Sequence, residues 1–253
     1  MRIVGNNADT LQLFLVNWAQ VRNEDAAELW KHTMHIMQRC LQGFFLLLAV
    51  VFIFIQWSDL LHALQYSEWL AVFHAGGPSL CMLVFLLGLS IFMTKMRYLS
   101  SGVLAIRSRL DDEQFVPFAA EQPVLLTQEQ LSLLPRRIGP LQGKFGKTIF
   151  SRFTTISVDE QSMYWKQAGK NHSLMWNDIR GFYCIKYQNN RGHDNTICII
   201  DGFAISFVWY ILDSCSATER MAYEQLSCLV VTRTQLPLRD ISDAVATLIL
   251  PDR

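Results

Sequence analysis

An excess of either charge is the first thing this chain lacks: 22 Lys and Arg stand against 22 Asp and Glu over 253 residues. With no net charge there is no global attraction that steers the chain toward a polyanion, and nucleic acid is not expected as a partner. Paired cysteines are lacking too. Cys40, Cys81, Cys184, Cys198, Cys215 and Cys228 form no CxxC pair and no regular spacing. They read as buried free thiols in a reducing compartment, not as a disulfide framework. Charge of any kind is absent from two long runs, 40–58 and 69–94, and no comparable run follows Lys95.

Each charge-free run approaches or exceeds the roughly 20 apolar residues a helix needs to cross a hydrocarbon core. The sequence therefore predicts a helical transmembrane hairpin in contact with the lipid bilayer. Arg2, Arg22, Lys31 and Arg39 precede it, and Lys95, Arg97, Arg107 and Arg109 follow it, whereas the loop 59–68 has no Lys or Arg. Positive charge is retained on the cytoplasmic side, so a two-span protein of the cell inner membrane with both termini cytoplasmic is expected. Trp57 and Trp69 fit the outer interface. Ahead of the first span, 1–39 reads as a helical arm. Within the second span Ala71, Ala75 and Ser79 recur every four residues, a stripe on which a second helix could pack closely, in a homo-oligomer for example. His74 reads as an interfacial histidine, and with no other ionisable side chain clearly inside either span, transport has little support.

Residues 95–143 read as a connector. Pro117, Pro123, Pro135 and Pro140 punctuate it, and Thr127 with Gln130 suggests a capped short helix over 127–134. After that the period changes to two. The segments 152–158, 162–167, 172–176, 181–187, 196–200 and 204–209 are rich in β-branched and aromatic residues and are separated by turn formers. Strands this close in sequence imply consecutive antiparallel pairing. Trp165, Trp176 and Trp209 fall on the inward side, with Lys166 pointing the other way from Trp165. Ser216-Ala217-Thr218-Glu219 is a full capping box opening an amphipathic helix with Tyr223, Leu226, Val230, Met221 and Leu229 in its stripe, and Pro237 ends it.

The run TTISVDEQSMYWKQAGKNHSLMWNDIRGFYCIKY, with its Trp176-Asn177-Asp178-Ile179 step, resembles the early strands of bacterial pleckstrin-homology-like domains. The block TERMAYEQLSCLVVTRTQLPLRDIS is similar to the closing helix and tail of bacterial membrane proteins that carry such domains. The resemblance implies a PH-like antiparallel β-barrel over 144–242 capped by a C-terminal helix; with the helical hairpin before it and a tail over 243–253 after it, the expected fold class is α+β. It also implies binding of a protein or a membrane surface, no catalysis and no family-wide ligand residues.

Candidate sites are few. The run GKFGKT at 143–148 has Leu141 where a phosphate loop needs Gly, and strand-like sequence follows it instead of a helix. His32 and His35, with Cys40 nearby, share a helix face but find no acidic partner, so ordinary surface histidines are the better reading. No Ser, Cys or Thr has a recognisable base and orienting partner, and neither a catalytic site, a cofactor nor a metal is expected. The remaining signal is basic. Between 144 and 191 lie Lys144, Lys147, Arg152, Lys166, Lys170, Arg180, Lys186 and Arg191, against only Asp159, Glu160 and Asp178. Lys144, Lys147, Lys166 and Lys170 could together face anionic lipid headgroups; charges that point in different directions on a solvated barrel are the competing reading. The expected function is thus an integral membrane protein with a binding module for a protein partner or the anionic membrane surface. The alternative is an accessory subunit of a membrane enzyme or transport complex.

Overall fold

The computed structural model describes residues 3–4, 8–20, 98–143, 153–167, 169–203 and 205–250, together with scattered helical positions between 36 and 96. The chain divides into two compact units: 1–27 with 102–253, and 28–101.

The first unit is built on a nine-stranded sheet. Its strands are β1 (Ile3–Val4), β2 (Arg137–Gly143), β3 (Phe153–Val158), β4 (Ser162–Gln167), β5 (Lys170–Met175), β6 (Ile179–Gln188), β7 (Asp194–Gly202), β8 (Phe207–Ile211) and β9 (Leu238–Asp240). Four helices accompany them: α1 (Ala8–Gln20), α2 (Gln128–Leu133), α3 (Ala217–Thr234) and α4 (Ser242–Ile249). Residues 98–107 are also helical.

Alternation of apolar and polar residues sets the register of the hairpins. β4 and β5 pair from Ser162↔Met175 to Gln167↔Lys170 without a shift, and Gly169 at φ +78° supplies the left-handed conformation their tight turn requires. β6 and β7 pair from Ile179↔Gly202 to Gln188↔Asp194. A bulge lies between Ile179 and Gly181. A Cβ at Gly181 would stand 1.9 Å from the Tyr183 hydroxyl, so the buried Tyr183 ring would have to shift to admit one.

The sheet is buried on one face throughout, and over β6, β7 and β8 on the other as well. On one, Ile138, Leu141, Ile156, Met163, Trp165, Leu174, Phe182, Cys184, Cys198, Ile200, Phe207 and Trp209 pack with Ala222, Leu226, Leu229 and Val230 of α3. All three tryptophans expected in the core are there. Met221, expected in the α3 stripe, is 55% exposed instead. The opposite face presents Tyr183, Ile185, Ile197, Ile199 and Val208, all buried. Trp18 of α1 meets Tyr183 edge-on with ring centroids 5.5 Å apart, and α4 contacts β6 and β1.

Both expected capping boxes are present. Ser216 and Glu219 close the first turn of α3, and Thr127 and Gln130 that of α2. α3 ends at Gln235, whose left-handed φ of 58° lets its N–H reach the Val231 carbonyl.

The expected closed barrel is corrected. The strand order is β1-β6-β7-β8-β2-β3-β4-β5, with β9 also beside β6. Closure would need β5 to meet the outer edge of β6, but that edge is taken by two parallel partners, β9 at Phe182–Cys184 and β1 at Tyr187–Gln188. The sheet is therefore open and mixed.

The expected transmembrane hairpin is corrected as well, and with it the two-span topology and the inner-membrane placement with cytoplasmic termini. Among the described residues no helix is long and apolar enough to cross a membrane. The helical residues 98–107 carry Ser100, Ser101 and Arg107. Most of 40–58 and 69–94, including Trp57, Trp69, Ala71, His74, Ala75 and Ser79, lies outside the described residues.

Candidate functional site

A groove of about 620 Å³ opens where α2, the turn joining β3 to β4 and the last turns of α3 come together. Its volume lies within the range of roughly 300–1,000 Å³ usual for ligand sites. Local sequence fixes each wall. Thr127 caps α2 by accepting from the Gln130 N–H at 3.3 Å, while the Gln130 side chain accepts from the Thr127 N–H at 2.9 Å. The Leu126 N–H then donates to Thr232 Oγ1 at 2.9 Å, which ties this wall to α3.

The opposite wall is an aspartate turn. Asp159 Oδ1 accepts from the backbone N–H groups of Gln161 at 2.8 Å and Ser162 at 2.7 Å, and from Ser162 Oγ at 3.1 Å. These donors, the Gln161 N–H foremost, hold the Asp159 carboxyl below its ordinary pKa. Trp176 clamps the same turn: its indole N–H donates to the Asp159 carbonyl at 3.1 Å and its backbone N–H to the Gln161 carbonyl at 2.9 Å.

The lining joins an apolar floor of Leu131, Leu134, Val158 and Leu229 to Arg136, Arg233, Asp159 and Glu160. Arg233 sits in the last turn of α3, where a cation is favoured by the helix dipole. Its Nε is buried and has no hydrogen-bond partner. A buried donor without an acceptor costs about 1–3 kcal/mol. The groove can therefore hold an apolar group and orient an acceptor beside it.

A second polar cluster lies under the other face of the sheet. Asp201 is fully buried. Its Oδ1 accepts from Arg107 Nη2 at 2.6 Å, Ser206 Oγ at 2.7 Å and Trp18 Nε1 at 3.0 Å, and its Oδ2 from Arg180 Nε at 3.0 Å. The Arg107 guanidinium lies 5.0 Å from the centroid of Trp18 and also donates to the Trp18 carbonyl. Burial lowers the Arg107 pKa, and the Asp201 carboxylate opposes that shift. With Asp201 accepting four bonds from four separate parts of the chain, this cluster is a clasp between elements.

The basic residues picked from sequence fare differently. Lys166 and Lys170 are both exposed, but Lys166 pairs with Asn171 on the outer face of the β4–β5 hairpin, whereas Lys170 shares the face of His172 and Leu174. Lys144 and Lys147, like most of the GKFGKT run, lie outside the described residues, as do His32 and His35; Cys40 is exposed. Among the described residues no group of His, Cys, Asp or Glu is arranged to hold a metal ion. Sequence reasoning missed Arg136 and Arg233. The two capping boxes placed the helices that carry the walls, but nothing in linear spacing brings those helices together. Neither the models of known protein families nor the curated proteins give a match to this chain.

Proposed function

We propose that this chain is a binding protein without catalytic activity, in which residues 137–234 form a PH-like module that receives a protein partner in the groove. Strand order supports the module reading. β2 to β8 run up and down as β5-β4-β3-β2-β8-β7-β6, and α3 follows directly and packs on β2, as an open sheet where the resemblance implied a barrel. The observation that carries the binding reading is the groove itself, an apolar floor beside a buried, unpartnered Arg233 Nε. An anionic lipid surface is the weaker choice of partner, since a planar surface needs its cations on one face and Lys166 and Lys170 are on two.

The test is site-specific crosslinking. A photoreactive residue at Ser132, which lines the groove, should give a protein adduct that is lost in the Arg136→Glu, Arg233→Glu double variant. The same residue at Glu224, exposed on α3 and outside the groove, should give none. Equal adducts at both positions, or an adduct that survives the double variant, would remove the groove as the binding site.

A further inference from the structure

β5 ends the sheet. It pairs with β4 along its full length, and among the described residues no strand lies on its other side. Which of its backbone groups are free follows from register. The Trp176 N–H donates to the Gln161 carbonyl, so the bonded pairs of this ladder recur at Met163↔Leu174, Trp165↔His172 and Gln167↔Lys170. The alternate residues Asn171, Ser173 and Met175 therefore aim their N–H and C=O groups away from β4, along the open edge.

Such edges are usually guarded by proline, a bulge or an inward charge. β5 has neither proline nor register shift; its one inward charge is Lys170, and the same face carries the stack of His172 on Trp165, 5.5 Å apart, and buried Leu174. The charges of the β4–β5 hairpin are all of one sign: residues 162–175 contain Lys166 and Lys170 and no Asp or Glu. Lys166 is on the outer face and Lys170 on the inner one. That division is wrong for a membrane plane but suits an extended strand, whose side chains alternate between the two faces. Tyr164 and Met175, 43% and 58% exposed, add apolar surface on the outer face.

We propose that the edge of β5 accepts an extended acidic polypeptide segment as an added strand, with backbone bonds to Asn171, Ser173 and Met175, an acidic side chain beside Lys170 on the inner face and another reaching across β5 to Lys166 on the outer face. This site shares no residue with the groove, and each can fail without the other.

The test uses the purified full chain and two synthetic hexapeptides, acetyl-Val-Val-Glu-Asp-Val-Val-amide and its neutral counterpart with Gln-Asn at the centre. The acidic peptide should bind about tenfold more tightly than the neutral one. It should also slow hydrogen exchange at the amides of Asn171, Ser173 and Met175. Ser173→Pro deletes an outward N–H while leaving the bonds to β4 in place, so it should weaken binding about tenfold at an unchanged melting temperature. Lys166→Gln with Lys170→Gln should erase the preference for the acidic peptide, and Arg136→Glu with Arg233→Glu should leave it intact. Absence of binding, equal binding of both peptides, or binding without slowed exchange at those three amides would overturn the proposal. Should Ser173→Pro melt early, the exchange measurement decides alone.

Discussion

His172 shows how one residue takes its character from packing. It lies half-buried on Trp165, and burial first, then the nearby Lys170 charge, lowers its pKa from the ordinary 6.5. The unfolded chain thus binds a proton at His172 that the folded chain resists, so stability rises with pH across the interval between the depressed value and 6.5, and is lost as pH falls through it. Replacing His172 with Phe keeps a ring on Trp165 and removes the proton. The melting temperature of the native protein should fall relative to that of His172→Phe as pH drops below 6.5, and the two should run parallel above 7. Parallel curves throughout would show that His172 is hydrated in the folded state. Cys184 and Cys198 follow the same logic: burial pushes the Cys184 thiol up to about 12 and Cys198 well above its ordinary value, so neither is a nucleophile at neutral pH.

Among elements, the clasp on Asp201 joins α1, the helical residues 102–107, β6, β7 and the chain entering β8. Asp201→Asn keeps an acceptor but removes the carboxylate bonded to Arg107, whose side chain is 5% exposed. Stranding a buried charge in this way costs about 3–5 kcal/mol. Urea unfolding of Asp201→Asn should show a loss of that order. Arg180→Met should lose less, since the Arg180 side chain is 22% exposed and Asp201 would keep three donors. A loss under about 1 kcal/mol for Asp201→Asn would mean that water already reaches the cluster. Nothing in the sequence announced this clasp, because its members come from five places whose meeting only the tertiary fold decides. Hairpins and capping boxes were legible since each is a local pattern, of period two or of fixed offset. β2 was not, because Pro135 and Pro140 argue for a connector. Pro140 is tolerated because it lies inside the bulge between Ile138 and Leu141, where the ladder is already interrupted. β1 and β9 were illegible for another reason: strands of two and three residues have no period to read, and both are fixed by parallel pairing to a distant partner. The groove depends on the same non-local meeting, with Arg136, Asp159 and Arg233 contributed by separate elements.

At the scale of the molecule, the first unit is discontinuous in sequence, since residues 1–27 belong with 102–253. The N-terminal part contributes Ile3, Leu11, Phe14, Leu15 and Trp18, each at most 5% exposed. Burying a large apolar side chain is worth roughly 1.5–3 kcal/mol, so these five amount to something on the order of 10 kcal/mol. That matches the whole net stability of a typical domain, about 5–15 kcal/mol. A fragment of 102–253 would expose the sheet face around Tyr183, Ile197 and Ile199 and leave Asp201 without its Trp18 donor. It should therefore fail to unfold cooperatively on its own and should bind a hydrophobic dye. Adding a peptide of residues 1–27 in trans should restore a cooperative transition and quench the dye signal. The same peptide with Trp18→Ala should restore it poorly, because it lacks both the indole bond to Asp201 and the edge contact with Tyr183. If 102–253 alone unfolds cooperatively at the midpoint of the full chain, the N-terminal strand and helix are dispensable, and the stabilising weight assigned here to α1 falls with them.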